Sequence, residues 1–284
     1  MLGRTFIHLP GVGSVTEREI WKSGISNWSE FLDSEFLPSR IERRRPGLQS
    51  LVQESQERLE KGHARYFHNN LPGGERWRLY GDFRDNAAFL DIETTGLSPQ
   101  FGYITMVGIL DSRGYKAFVH DENLEELREA LEQYDLVVTF NGAAFDLPYV
   151  EHHFGNVFKD MAHIDLRFPL KKAGYSGGLK SIERQLGLAR PSALSELDGF
   201  DAVVMWQMWL NGDRAARDTL VRYNAEDVAS LPLLSETVYN KLAAELPTEV
   251  DALAPSHRHD IDLPFDPQTV ERTKEYRNAR WERS

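Results

Sequence analysis

Three apolar runs, at residues 86–94, 103–111 and 115–120, follow one another with only short turns such as DSRG between them. Strands joined in this way pair as an antiparallel meander. A polar helical stretch, ENLEELREALEQY, comes next, followed by the apolar run LVVTF, a helix from about Ala143 to Phe154 and a short strand near AHIDL. The alternation predicts an α/β fold with a mixed five-stranded sheet flanked by helices, three strands antiparallel and two more reached through crossover helices. Helical periodicity fills the chain from there to about residue 245.

The first strand carries an electrostatic anomaly. In FLDIETTG, Asp91 and Glu93 are two residues apart and so project from the same face. Phe89, Leu90 and Ile92 surround them with apolar side chains, where an unpaired charge is expensive to bury. On its own an Asp-x-Glu pair is common on solvated strands. Here Thr94, Thr95 and Gly96 end the strand in a tight turn that a ligand can approach closely, which makes Thr94 a candidate substrate contact. A hard divalent cation, which takes carboxylate oxygen and keeps positions open for water and phosphate, would resolve the anomaly.

Two further acids follow. In TFNGAAFDLPYV the strand ends at Asn141-Gly142 and Asp146 falls in the first turn of the next helix. An Asp there is ordinarily a cap or dipole partner, but this one lies at the carboxyl end of a core strand, where sites gather in sheets covered by helices. In RYNAEDVASL, Tyr223 and Asp227 are four residues apart on a helix and share a face, with Asn224 and Glu226 pointing elsewhere. Either element alone reads as surface; three acidic signals in this order point to one site.

Composition narrows the chemistry. The chain has no cysteine, which removes disulfides, thiolate metal sites and cysteine nucleophiles and leaves oxygen or imidazole as metal ligands. The close histidine pairs at 152, 153 and at 257, 259 lack further ligands for zinc, and His163 reads as a packed strand residue. The net charge of −11 speaks against a generally basic coat, though not against a local basic groove. No window approaches the roughly 20 apolar residues of a membrane span and the N-terminus lacks a signal-peptide core, so a soluble, cytoplasmic protein without a membrane partner is expected.

Four segments are expected: residues 1–37, a basic helical connector at 38–85, the sheet domain at 86–245 and a C-terminal tail at 246–284. LPGVGSVTEREIWKSGI, within the first, looks like a helix-hairpin-helix element whose Gly11-Val-Gly13 turn can offer backbone N–H groups to a nucleic-acid phosphate. Such elements also serve as packing modules. Arg40, Arg43, Arg44 and Arg45 add a cationic patch or a solvated helix face. Lys180, after two glycines at a helix start, reads as a phosphate contact or a solvated lysine, and Asn141 as a substrate contact or a turn residue. Asp165 reads as a cap or buried-edge residue near the same cleft. Pro232 interrupts a continuing helix, and the tail is expected to be extended or weakly helical, packing by Phe265 and Trp281.

DIETTG, FNGAAFD and YNAEDV, in this order, resemble the tyrosine-containing branch of the DEDD exonucleases, a superfamily with a ribonuclease H-like fold. GGLKSIERQLG and DGFDAVVMWQMWLNGD make the chain most similar to the YprB-type ribonuclease H-like proteins of prokaryotes, over roughly residues 86–245. The resemblance implies that Asp91, Glu93, Asp146 and Asp227 bind two divalent ions, Mg²⁺ or Mn²⁺, and that Tyr223 positions the attacking water. It implies 3′ to 5′ exonuclease action on DNA or RNA. A structure-selective endonuclease on the same site and a noncatalytic nucleic-acid-binding scaffold are the alternatives. No Walker-type phosphate loop is present, so a motor such as a helicase would have to be a separate partner.

Overall fold

The computed structural model describes residues 1–188, 190–256 and 258–281, with the side chains of residues 278–281 excepted, so His257 and the Trp281 side chain lie outside the described residues. Helices α1 (Ser14–Lys22), α2 (Trp28–Asp33), α3 (Ser39–Glu42), α4 (Arg45–Glu60), α5 (Ala64–Asn70) and α6 (Tyr80–Phe83) precede the sheet, with a 3-10 segment at Gly73–Leu79. Strands β1 (Ala87–Thr94), β2 (Ile104–Asp111) and β3 (Gly114–Val119) come next, then α7 (Leu127–Leu131), β4 (Leu136–Thr139), α8 (Asp146–Phe154) and β5 (Ala162–Asp165). The helices that follow are α9 (Arg167–Lys172), α10 (Leu179–Gln185), α11 (Ser192–Ser195), α12 (Gly199–Leu210), α13 (Arg214–Ala229), α14 (Leu231–Ala244) and α15 (Pro267–Trp281). Among the described residues no helix is long and apolar enough to cross a membrane.

The sheet has the order β3-β2-β1-β4-β5. β1, β2 and β3 are antiparallel neighbours, and β1, β4 and β5 run parallel. This is the expected mixed five-stranded sheet. Its two faces follow the period-two alternation of β1. Ala88, Leu90 and Ile92 face one way and pack with Val107, Val137 and residues of α7 and α8. Ala87 and Phe89 face the other way, into a core that takes Leu136 and Ile164 from the sheet and Val238 and Leu242 from α14. The same core continues without a break to Phe6, Trp28 and Phe67 of the N-terminal helices.

A buried ion pair ties α1 to the segment that leads into β1. Arg78 donates to both carboxylate oxygens of Glu17 at 2.8 and 3.0 Å. Glu17 also accepts the Phe6 and Ile7 backbone N–H groups at 2.7 and 2.9 Å, so its charge is met from several sides. At the adjacent Gly-Val-Gly turn, Gly11 has φ +73°. The Arg44 guanidinium lies across it and donates to the Pro10 carbonyl.

Pro232 and the tail both depart from a continuous helix or a loose end. α13 stops at Ala229 and α14 restarts at Leu231, with Pro232 in its first turn, where a missing N–H costs nothing. The tail is helical over Pro267–Trp281 rather than weakly structured. Asp266 caps it, accepting the Thr269 N–H at 2.9 Å and the Thr269 hydroxyl at 2.7 Å. Thr269, Val270 and Thr273 are buried, and the Thr273 hydroxyl reaches the Met208 sulfur of α12. The DPQT sequence at 266–269 is a helix-start signal that the mixed charge of the segment obscures.

Two tests follow from this packing. Glu17→Ala leaves the buried Arg78 with Glu75, at 2.8 Å, as its remaining carboxylate and strips the Phe6 and Ile7 N–H groups of their acceptor, and should cost roughly 3–5 kcal/mol in denaturant unfolding; a loss below about 1 kcal/mol would mean that the pair does not anchor α1. Burial and the nearby Arg78 push His8 down to about 3, burial and His68 push His163 down to about 3, and burial and Arg76 push His68 down to about 4. Neutral in the fold and free to charge once unfolded, these histidines contribute stability that is complete above the ordinary 6.5 and is lost as pH falls from there toward those values. Buried carboxylates such as Asp146, pushed up to about 7, act in the opposite direction over the same range, so the histidine share is read by comparison: His8→Gln with His163→Gln should lose less thermal midpoint than wild type between about pH 6.5 and 4.5, and an identical loss would contradict the assignment.

Candidate active site

The β1 face that carries Ala87 and Phe89 into the core turns acidic at Asp91 and Glu93. α13 packs across β1 and β2 and brings Tyr223, Asn224 and Asp227 over these acids. One carboxylate oxygen from each of Asp91, Glu93 and Asp227 lies within 4.8 Å of the others. The β1–β2 register shifts between Glu93 and Thr94, an irregularity of the kind that re-aims side chains beside sites. The three acids sit in a cleft of about 820 Å³ whose wall includes Thr94, Asn141, Asp146 and Tyr223. Lys180, Gly11 and Gly13 are not among its lining residues.

Asn224 does not point elsewhere, as helical spacing suggested. It is fully buried, and its amide donates to the Asp91 carboxylate at 2.9 Å while its carbonyl oxygen accepts the Tyr115 hydroxyl at 2.9 Å. The space for it exists because residue 108 on β2 is glycine; a Cβ there would lie 1.8 Å from the Asn224 oxygen. Spacing along α13 shows which residues share a face, but not that the neighbouring face is covered as well. Glu226 is buried too, paired with Arg222 at 2.7 Å and with Arg258.

Asp146 enters from the opposite wall. Its Oδ1 accepts the Ile92 backbone N–H at 3.2 Å, which fixes the start of α8 against β1. The turn before it is held by Asp165, whose two oxygens accept the N–H groups of Asn141 (2.8 Å), Ala143 (3.1 Å) and Arg167 (3.1 Å). Asp165 is therefore a turn-holding residue. Asn141, at φ +69°, lines the cleft and accepts from Arg167 at 2.6 Å. The Lys180 ammonium lies 4.7 Å over the Tyr223 ring, 3.4 Å from its hydroxyl, and donates to the Leu197 carbonyl.

Arg190 carried no sequence signal. Buried between α10 and α11, its guanidinium forks onto Glu183 and also donates to Asp227 Oδ1 at 2.5 Å. Glu183 is anchored in turn by the Ser230 hydroxyl at 2.5 Å. Burial works against the Arg190 charge, but Asp227 and Glu183 outweigh it and push its pKa up.

The acids themselves are driven the other way. Burial, followed by the charge of Asp227, pushes both Asp91 and Glu93 well above the usual carboxylate range. Burial pushes Asp146 up to about 7. A desolvated, self-repelling group of oxygen donors, only partly offset by Arg190, fits a hard divalent cation.

The family model of the RNase_H superfamily matches residues 88–239, a span that contains all four acids and Tyr223. No curated protein matches the chain. Among solved structures, the family B DNA polymerase of the archaeon Pyrobaculum calidifontis is 18% identical, with a TM-score of 0.42 over 54% of this chain and 25% of the polymerase. Brucella melitensis NrnC with bound Mg²⁺ is 19% identical, with a TM-score of 0.42 over 72% of this chain and 91% of that one. NrnC bound to pGG gives 18%, 0.43, 69% and 83%. Likenesses of this size carry no argument about chemistry.

The Gly108–Asn224–Asp91 arrangement is testable without turnover. Asn224→Ala removes the donor that orients Asp91 and should weaken Mn²⁺ binding by about 10–100-fold in calorimetry. Gly108→Ala should do the same by displacing Asn224. Wild-type affinity in both variants would show that Asp91 is oriented by other groups.

Proposed function

This chain belongs to the RNase H superfamily, and we propose that it is a divalent-metal-dependent nuclease of the tyrosine-containing DEDD type, close to the YprB-type proteins, that removes nucleotides from the 3′ ends of nucleic acid. The observation that carries this reading is the convergence of Asp91, Glu93 and Asp227 within 4.8 Å in a cleft that Asp146 and Tyr223 also line. Asp91, Glu93, Asp146 and Asp227 are the residues that would hold Mg²⁺ or Mn²⁺. Two such ions supply the positive charge that activates water and stabilises the leaving oxygen of a phosphodiester.

The remaining work falls to the protein's own groups. Burial, then the charges of Asp227, Glu93 and Asp91, push the Tyr223 phenol well above its ordinary value. A phenol is ordinarily a poor base near neutral pH, so Tyr223 is assigned to orienting the attacking water by hydrogen bonding rather than to removing its proton. Lys180 holds the ring in place from above. Thr94 and Asn141, on the cleft wall, are assigned to the substrate strand. The turn at Gly11 and Gly13, outside the cleft, is assigned to a nucleic-acid backbone phosphate, with residues 1–37 as its module.

End-labelled single- and double-stranded DNA and RNA, incubated with Mg²⁺ or Mn²⁺, should be shortened from the 3′ end. Chelator and Asp91→Ala should each abolish the activity, and a circular strand should resist it. Activity that survives both treatments would remove the acidic cluster from the mechanism, and cleavage of the circle would make the enzyme an endonuclease. Tyr223→Phe should lower turnover by about 10²-fold, the scale of a misplaced reactant, with Mn²⁺ affinity retained.

A further inference from the structure

Beside the acidic cleft lies a second cavity, of about 400 Å³, lined by Arg76, Trp77, Ala143, His163, Asp165 and Phe168 among others. The two are separated by the turn after β4. Asn141 lines the first, while Asp165, which accepts the Asn141 N–H, lines the second. Arg167 sits on this ridge and donates to the Asn141 side chain at 2.6 Å.

The cations around this cavity lack carboxylate partners among the described residues. Arg76, half-buried, donates to the His68 carbonyl at 3.2 Å. Arg65, also half-buried, donates to the Met161 carbonyl at 2.9 Å. Arg167 has only the Asn141 amide. The nearby acids are already engaged: Asp165 by three backbone N–H groups, Glu75 by Arg78 and Lys172. Burial lowers the Arg76 pKa, and the Arg65 charge lowers it further, so the two guanidiniums repel one another. In a chain with 44 Asp and Glu residues and a net charge of −11, two neighbouring half-buried arginines with no carboxylate partner among the described residues favour an anion from outside.

The cations are strung out rather than convergent. Arg167 touches the cleft wall, Arg76 lines the second cavity, and Arg65 lies beyond it near the start of β5. A line of positive charge suits a chain of phosphates better than a single small anion. Phe168, 57% exposed at the cavity, presents an apolar face between the charges.

We propose that the second cavity is a subsite for a single nucleic-acid strand continuing out of the acidic cleft, with Arg76 and Arg65 taking backbone phosphates and Phe168 stacking on a base. The identity of the strand rests on the nuclease reading; the binding does not require turnover.

The test is binding of fluorescein-labelled single strands of about 4, 8 and 16 nucleotides in chelator, over a range of salt. Wild type should gain affinity with length. Arg65→Gln with Arg76→Gln should weaken binding of the longer strands at least tenfold and make the log–log salt slope shallower by about 1.4, as expected for two lost phosphate contacts on a single strand. Phe168→Ala, at an exposed position that leaves the core untouched, should weaken binding about tenfold with the slope unchanged. Wild-type affinity and slope in properly folded variants overturn the subsite. Strand binding that the arginine variants weaken, in a wild-type protein that cuts nothing, keeps the subsite and removes the nuclease reading.

Discussion

Three carboxylates with oxygens within 4.8 Å of one another repel, and burial removes the water that would screen them. The arrangement of β1 and α13 follows from holding them there. Asp91 is pinned by Asn224, Asp227 by Arg190, and Asp146 by the backbone of β1. Each pin is itself buried or anchored: Asn224 by Tyr115 and the gap at Gly108, Arg190 by Glu183 and Ser230. The site is thus less a set of side chains on a sheet than the inner end of several hydrogen-bonded chains that begin in the core.

This explains why α13 is buried on more than one face. A helix that carries Asn224, Glu226 and Asp227 in four consecutive positions would ordinarily lie at the surface. Here each polar group has a partner from a different part of the chain, with Arg222 and Arg258 matching Glu226 and Arg190 matching Asp227. The full set of partners lets polar side chains replace apolar ones inside the layer without leaving an orphaned charge.

The sheet was legible in the sequence because its strands alternate with period two and follow one another closely, and the acids were legible because they fall at the ends of β1, β4 and α13. What could not be read depends on tertiary contact. Asn224 needed the knowledge that β2 carries a glycine opposite it. Arg190 lies in an irregular stretch, where no periodicity marks a direction. α15 hid because two of the three residues described as buried in it are threonines, Thr269 and Thr273, which do not register as an apolar stripe. Lys180 reads from the sequence as a phosphate contact or a solvated lysine, and its ammonium lies over the Tyr223 ring and bonds the Leu197 carbonyl.

That last contact joins two walls of the cleft. Leu197 stands immediately before Asp198 and Phe200, which form one wall, while Tyr223 belongs to the roof supplied by α13. A single ammonium bridges them. Any widening of the 197–200 wall must stretch either the bond from Lys180 to the Leu197 carbonyl or the contact of Lys180 with the Tyr223 phenol, so the width of the cleft and the seat of the phenol are mechanically tied.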